Sequence, residues 1–171
     1  GTDDMNVSTI LDDHYRHIEP AMRIVRLGSN PRAVVVSPDS ETVYVYNFLD
    51  GEVSIFEAER MKKVADVKVC ESALPPAVHR GKVLFNTARD PMTRRQWIAC
   101  SSCHPDGDHD GRTWQNPEGL RRTTHFFGMK RTHPIHWSAD RDEVQDFEHT
   151  IRGLLMQGRG LIRGPVADSL A

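Results

Sequence analysis

The feature that most constrains this chain is a run of two cysteines and a histidine, Cys100-Ser101-Ser102-Cys103-His104. Two thiols separated by two residues match the spacing of the two vinyl groups of haem, to which such thiols attach as thioethers. The histidine that directly follows would then lie under the iron as its proximal ligand. A covalent link also removes the need for a deep apolar pocket, which suits a small domain. The run therefore predicts a haem c site held by Cys100, Cys103 and His104.

Two other chemistries use a Cys-x-x-Cys spacing. A redox dithiol normally follows a strand in a βαβ unit, which the sequence around Cys100 lacks. A closed zinc site needs four ligands, and Cys70 with one histidine could join Cys100 and Cys103 to supply them. The chain has no second Cys-x-x-Cys pair, and zinc does not require a histidine directly after the second cysteine. We therefore favour haem, and we expect the leftover Cys70 to be buried at a junction between modules.

The overall composition has no strong charge bias. The chain has 171 residues, 22 basic and 24 acidic side chains and a formal net charge of −2. This balance gives no reason to expect binding to nucleic acid or to an anionic membrane surface. No apolar run approaches the roughly 18 residues that a membrane-spanning helix needs. We therefore expect neither a nucleic-acid partner nor a membrane span.

Charge and histidine are distributed unevenly along the chain. Residues 1–74 carry 8 basic and 13 acidic side chains, whereas residues 75–171 carry 14 and 11. Seven of the nine histidines lie in the second part. Such a shift in composition indicates two modules, over residues 1–74 and 75–171. Within the first, residues 12–18 are predicted to form a short helix with exposed His14 and His17.

Residues 32–70 show the pattern of a small antiparallel sheet. Runs rich in β-branched and aromatic residues recur about every 10 residues, at 34–36, 43–46, 53–56 and 64–69. Turn residues separate them, with Pro38-Asp39-Ser40 after the first run and Asp50-Gly51 after the second. The pattern predicts four strands joined by hairpin turns.

Parts of this meander match a known repeat. They are Leu27-Gly28-Ser29-Asn30-Pro31-Arg32, Val36-Ser37-Pro38-Asp39, Val43-Tyr44-Val45-Tyr46-Asn47 and Gly51-Glu52-Val53-Ser54-Ile55. Together they resemble one blade of the YVTN-type β-propellers. A propeller needs about 4–8 blades, and one repeat cannot bury both of its faces. The resemblance implies the last blade of a larger propeller, covered by further blades or by self-association. The alternative is a small sheet packed on the second module.

Two segments of the second module have helical patterns. Residues 75–85 begin with two prolines, which suit the first turn of a helix. Residues 140–158 combine a capping pair, Asp140 and Glu143, with an apolar stripe and two terminal glycines. The module is therefore predicted to be mainly α-helical. The fold class of the chain would be α+β, a short antiparallel meander followed by a helical domain.

Further stretches of the second module carry a family likeness. They are Arg80-Gly81-Lys82-Val83-Leu84-Phe85, then Ile98-Ala99 before the first cysteine, and Asp110-Gly111-Arg112-Thr113-Trp114 after the histidine. Over residues 75–163 the chain resembles the haem domains of the di-haem cytochrome c peroxidase and MauG-like family. The resemblance implies a mainly α-helical cytochrome c domain with covalent haem c. It also implies a periplasmic or cell-surface location, because haem c is attached outside the bacterial cytoplasm.

The same resemblance suggests the sixth ligand of the iron. A methionine ligand in the family follows a proline by two residues, and aligning that proline with Pro134 places His136 at the ligand position. This implies bis-histidine ligation by His104 and His136, with Trp137 near the edge of the porphyrin. Histidine replaces the family's methionine here, so other ligands and an open site stay as alternatives. The alternative side chains are Met129, His125 and His133.

Two further signals favour structural roles. Met156 has a spacing from the haem motif that is found in one-haem cytochromes, but it falls on the predicted apolar stripe and is expected in the core.

Asp106, Asp108 and Asp110 fit the first half of a calcium-binding EF-hand loop. The twelfth position of that loop is Pro117 rather than a bidentate glutamate, so a solvated turn is favoured over calcium.

These features predict a c-type cytochrome module that transfers single electrons to and from a redox partner protein. One alternative is an enzyme, the haem domain of a MauG- or cytochrome c peroxidase-like oxidoreductase. Those enzymes use two haems, whereas this chain holds a single Cys-x-x-Cys-His run. The other alternative is a propeller that binds a partner and carries a structural haem. Turnover of peroxide would favour the enzyme over both other functions.

Overall fold

The computed structural model describes residues 25–160, and the chain divides into two compact units between Glu71 and Ser72. The charge distribution placed the corresponding boundary between residues 74 and 75. The predicted short helix with His14 and His17 lies outside the described residues.

The first unit is a four-stranded antiparallel sheet in the order β1-β2-β3-β4. Its strands are β1 (Pro31–Val36), β2 (Thr42–Asn47), β3 (Glu52–Glu57) and β4 (Lys62–Lys68). The predicted meander is confirmed. Gly51 adopts a φ of +59° in the turn between β2 and β3, where a Cβ atom would lie 2.3 Å from the carbonyl oxygen of Cys70. This turn therefore needs a glycine.

The two inner strands of the sheet bury most of its interior side chains. Phe56 and Val45 are buried, as are the polar side chains of Ser54 and Asn47. Both outer strands are largely exposed, and Val34 on β1 retains 66% of its accessible surface. Side chains alternate between the two faces along β2 and β3, so the buried residues of these strands share one face of the sheet.

One expectation for this unit is wrong. Cys70 is exposed rather than buried. Its backbone N–H donates to the carbonyl oxygen of Gly51 at 3.2 Å, and its Sγ lies 3.9 Å from the hydroxyl of Tyr46. The backbone pairing with the glycine turn holds this residue at the end of the sheet, where its thiol meets solvent.

Within residues 72–160, the second unit contains three short helices and one hairpin. The helices are α1 (Pro76–Asn86), α2 (Cys100–Cys103) and α3 (Glu148–Arg152), and the hairpin strands are β5 (Thr113–Asn116) and β6 (Gly119–Arg122). Single 3-10 turns occur at Pro105–Gly107, Met129–Arg131 and Val144–Phe147. The remainder of residues 72–160 consists of loops with two isolated β-bridges.

The prediction of a mainly α-helical cytochrome c domain is therefore wrong. Helix accounts for 22% of the structure and strand for 27%, and the helices are short. The first predicted helix is present as α1. Between the haem-type motif and β6, however, prolines and glycines interrupt the chain at Pro105, Gly107, Gly111 and Pro117. These residues favour turns, so the segment forms a hairpin instead of a helix.

The predicted closing helix over residues 140–158 is reduced to the five residues of α3. Asp140 does not cap it, because its carboxylate is hydrogen-bonded to His136 and Arg141. Asp146 instead accepts from the backbone N–H of Glu143 at 3.1 Å. The helix ends where Gly153 turns to an extended conformation, with ψ at −176°. Side-chain pairing at one end and a glycine at the other thus shorten the helix.

The interior of the second unit is a small cluster formed by Met92, Ile151 and Met156. The expectation that Met156 is a core residue is confirmed. Gly158 lies so close to this cluster that a Cβ atom would be 2.3 Å from the carbonyl oxygen of Met92. Among residues 25–160, no helix is both long enough and apolar enough to cross a membrane.

Candidate functional site

The second unit contains a cavity of about 770 Å³ that is partly open to solvent, and its volume lies within the range of small-molecule and cofactor sites. All of the residues predicted to bind the cofactor line it, namely Cys100, Cys103, His104, His136 and Trp137. Two of the alternative ligands, Met129 and His125, line it as well. His133 is not among the lining residues. Residues far apart in sequence therefore meet around one cavity.

Helix α2 presents the two cysteines from one turn. Cys100 and Cys103 are three residues apart, so they lie on the same face of the helix. The turn is fixed at its start by Ser102, whose hydroxyl accepts from the backbone N–H of Ala99 at 3.0 Å. It is closed at its end by the backbone N–H of His104, which donates to the carbonyl oxygen of Cys100 at 3.0 Å. The helical turn places both thiols and the following imidazole next to one another.

Both thiols are held in their protonated form. Burial raises the pKa of Cys100 to about 11. Burial, together with the nearby charge of Asp110, also raises the pKa of Cys103. A redox dithiol depends on deprotonated sulfur, which a raised pKa opposes. The environment of the pair therefore does not favour a redox dithiol.

His104 is held in one orientation by a carbonyl oxygen and an aromatic ring. Its Nδ1 lies 2.8 Å from the carbonyl oxygen of Thr124, and its ring stacks on Phe126 at 4.2 Å. Burial lowers the pKa of His104, although the backbone of Thr124 and of Asp108 and the charge of Asp110 oppose this shift. Because a carbonyl oxygen only accepts, Nδ1 carries the hydrogen, and Nε2 of the neutral ring carries the lone pair. A neutral imidazole with this tautomer is suited to bind a metal.

His136 has a similar arrangement with a charged partner. Its Nδ1 lies 2.7 Å from Oδ1 of Asp140, and Oδ2 of that carboxylate accepts from Nη1 of Arg141 at 2.6 Å. The hydrogen bond to His136, and secondarily the charge of Arg141, lower the pKa of Asp140. The carboxylate therefore stays ionised, and it accepts the Nδ1 hydrogen of the imidazole.

Two phenylalanines connect the two imidazoles in the cavity wall. Ring centroids are 4.2 Å apart from His104 to Phe126, 6.3 Å from Phe126 to Phe147 and 5.9 Å from Phe147 to His136. Sequence reasoning did not single out Phe126, because it lies in a loop and belongs to no periodic pattern. Phe147 was assigned only to an apolar stripe. Both rings are part of the site.

The remaining candidate ligands have other surroundings. His125 stacks on the exposed ring of Phe127 at 5.6 Å. Nδ1 of His133 is hydrogen-bonded to the backbone carbonyl of Asp142. Met129 begins a 3-10 turn. Among these candidates, His136 alone combines a place in the cavity wall with a carboxylate on Nδ1.

Trp137 and the β5–β6 hairpin form another part of the wall. Nε1 of Trp137 donates to the carbonyl oxygen of Arg122 at 2.6 Å, which ties this ring to β6. Arg121 and Arg122 both line the cavity, whereas none of its described lining residues is an aspartate or a glutamate. An apolar cavity with arginine on one side fits a flat apolar ligand that carries carboxylates, as haem does with its propionates.

The acidic loop from Asp106 to Asp110, for which the sequence favours a solvated turn over calcium, makes internal hydrogen bonds. The carboxylate of Asp110 accepts from the backbone N–H of Arg112 at 3.0 Å and from Nε1 of Trp114 at 2.8 Å. The carboxylate of Asp108 accepts from the backbone N–H of His109 at 2.9 Å. Within residues 25–160 there is no group of three or more histidine, cysteine, aspartate or glutamate side chains arranged to hold a metal ion. Haem iron takes at most two protein side chains, so its ligation is a separate question.

Comparison of the chain with protein-family models, with curated proteins and with solved structures finds no match.

Proposed function

We propose that the second unit binds haem covalently through Cys100 and Cys103 and transfers single electrons, and that His104 and His136 would hold the iron. The observation that carries this proposal is the shared cavity of about 770 Å³. The two thiols of the Cys-x-x-Cys-His run line this cavity together with two imidazoles, each with an oxygen on Nδ1.

Each residue of the site has a defined task. The S–H of Cys100 and of Cys103 would add across a vinyl group, so that sulfur bonds to one carbon and the hydrogen goes to the other. The protonated state of both thiols agrees with such an addition. His104 and His136 would offer Nε2 to the iron. When bound, the haem supplies one-electron chemistry by alternating between its ferric and ferrous states.

Other parts of the wall would hold and shield the porphyrin. Arg121 and Arg122 offer guanidinium groups to its propionates. Trp137 and the two wall phenylalanines would supply apolar contact to the porphyrin. Two imidazole ligands leave no open position for peroxide. This favours electron transfer over peroxide chemistry.

The proposal extends to location and partners. Haem attached to a Cys-x-x-Cys-His run implies a periplasmic or cell-surface protein, and an electron carrier needs a redox partner protein. In the first unit, the exposed valines of β1 and β4 would be covered by further propeller blades or by a second copy of the chain. A monodisperse monomer whose β1 amides exchange slowly would contradict this coverage by a partner.

Extraction of haem tests covalent attachment. The chain is expressed with the haem attachment machinery and treated with acidified acetone. We expect the colour to stay with the polypeptide, and to be lost when both cysteines are replaced in the Cys100→Ser, Cys103→Ser double variant. The matched control is Cys70→Ser, since this exposed thiol lies outside the second unit. Colour that extracts fully from the unaltered chain would refute the proposal.

Absorption spectra test the sixth ligand. Imidazole on both faces predicts a low-spin ferric spectrum without the weak long-wavelength band of sulfur ligation. His136→Ala should convert the iron to high spin and speed the binding of cyanide. His133→Ala is the control, because His133 does not line the cavity. A low-spin spectrum that survives His136→Ala would remove His136 from the proposal.

A further inference from the structure

We propose that Asp140 is a positioning residue, which fixes the tautomer and orientation of His136 and makes it the more electron-donating of the two imidazoles. This inference rests on the proposed ligation of haem by His136. It concerns a residue that the sequence assigned only to a helix cap.

The loop that carries both residues is closed at its base. The backbone N–H of Ile135 donates to the carbonyl oxygen of Arg141 at 2.8 Å, and these two residues form an isolated antiparallel bridge. Within the loop, the backbone N–H of Ala139 donates to the carbonyl oxygen of His136 at 3.2 Å. Because the chain is pinned on both sides, the side chains of His136 and Asp140 face each other across a short turn.

The carboxylate of Asp140 is itself held in place. Its Oδ1 lies 2.7 Å from Nδ1 of His136, and its Oδ2 accepts from Nη1 of Arg141 at 2.6 Å. The side chain of Arg141 is only 11% exposed. A carboxylate with both oxygens engaged and a largely buried partner cannot easily rotate away from the imidazole.

His136 adopts an uncommon backbone conformation in this loop. Its φ is +75°, and Ala139 has a φ of +51°. Residues other than glycine rarely adopt positive φ, and they keep it only where surrounding contacts hold them. The bridge at the base of the loop and the bond to Asp140 are contacts of this kind.

The two imidazoles differ in the charge of their partners. His104 donates to a neutral carbonyl oxygen of Thr124, whereas His136 donates to the ionised carboxylate of Asp140. A carboxylate partner raises the basicity of a metal-bound imidazole more than a carbonyl does, and a more basic ligand favours the ferric state. Asp140 therefore lowers the reduction potential of the site through His136.

Three variants of the haem-loaded chain test this role. Asp140→Asn removes the charge and keeps an acceptor oxygen, while Asp140→Ala removes both. Asp142→Asn is the control, since it removes the same charge from an exposed side chain two residues away. Reduction potentials are measured by spectroelectrochemistry, and the rate of cyanide binding to the ferric form reports how firmly the sixth ligand is held.

We expect a higher reduction potential in both Asp140 variants than in Asp142→Asn. Cyanide binding should become about 10-fold faster in Asp140→Ala, in line with the usual effect of removing the partner of a metal ligand. Potentials in the Asp140 variants that equal that of Asp142→Asn would overturn the inference, even if His136→Ala still converts the iron to high spin. A low-spin iron in His136→Ala would overturn the ligand assignment as well.

Discussion

The two units of this chain bury their apolar side chains in different ways. In the sheet, the interior side chains pack among hydrogen-bonded strands, as Phe56 and Val45 do. In the second unit Met92, Ile151 and Met156 form a small buried cluster, and aromatic rings such as Phe126 and Trp137 line a cavity of about 770 Å³. A protein interior is normally filled to high density. If haem binds as proposed, it would fill this cavity and complete the core of the second unit, whereas in the sheet unit it is the exposed valines of β1 and β4 that a partner would cover.

The largest expected effect follows from this difference. We predict that the haem-loaded chain protects the backbone amides of residues 72–160 from hydrogen exchange far more than the haem-free chain does. The stabilisation arises because the attached haem would bury its apolar surface in the cavity of the folded chain and expose it to water in the unfolded chain. Amides of β2 and β3 should exchange equally in both forms. Mass spectrometry of peptic peptides measures the two units separately.

Two results of this hydrogen-exchange experiment would contradict the difference between the units. Equal protection of residues 72–160 with and without haem would show that the second unit has a complete core of its own. A change of equal size in β2 and β3 would show that the two units unfold as one.

A pair of core truncations sharpens the comparison. Phe56 and Ile151 are almost fully buried, one in each unit. We expect Phe56→Ala to cost about 3–5 kcal/mol and Ile151→Ala about 2–5 kcal/mol of unfolding free energy. Each loss should be confined to its own unit in denaturant titrations followed by hydrogen exchange. Destabilisation of residues 72–160 by Phe56→Ala would show that the units are coupled.

The two units also differ in how much of them the sequence predicts. The meander is readable because its strands pair with their sequence neighbours, through turns marked by residues such as Ser40 and Gly51. Period-two alternation then determines which side chains are buried. The error in this unit is Cys70, since exposure at the end of a strand depends on tertiary context and leaves no mark in the sequence.

In the second unit, the sequence predicts the residues of the site better than it predicts the secondary structure. The Cys-x-x-Cys-His run identified Cys100, Cys103 and His104, and the family resemblance, aligned at Pro134, pointed to His136, which lines the same cavity. The closing helix was wrong because a capping pattern at Asp140 cannot be told from a hydrogen bond to a histidine four residues earlier. Phe126 was missed because its contact with His104 crosses a loop without periodicity. Long-range contacts of this kind arise from tertiary structure rather than from local pattern.

The next largest expected effect is a loss of stability when a buried hydrogen-bond network in the sheet is broken. Nδ2 of Asn47 donates to Oγ of Ser54 at 2.8 Å, and Ser54 donates to Oδ1 of Asp66 at 2.6 Å. Ser54→Ala would leave the buried amide of Asn47 without its acceptor, at a cost of about 1–3 kcal/mol. Thermal unfolding of the sheet unit measures the loss. Ser40→Ala, on an exposed turn, is the control and should change stability by less than about 0.5 kcal/mol.

The smallest effect is a pH dependence confined to the sheet unit. The hydrogen bond from Ser54, followed by the one from Lys63, lowers the pKa of Asp66 below its usual 3.8. As the pH falls, the unfolded chain therefore binds this proton before the folded chain does. The stability that Asp66 contributes is fully present above about pH 4 and is lost as the pH falls through the lowered pKa.

Asp66→Asn should thus weaken the sheet slightly near pH 7 and not at all near pH 2, relative to the control Glu59→Gln. Urea titrations over this range measure the difference, and a deficit of Asp66→Asn that stays constant down to pH 2 would show that its carboxylate charge plays no part in holding Ser54.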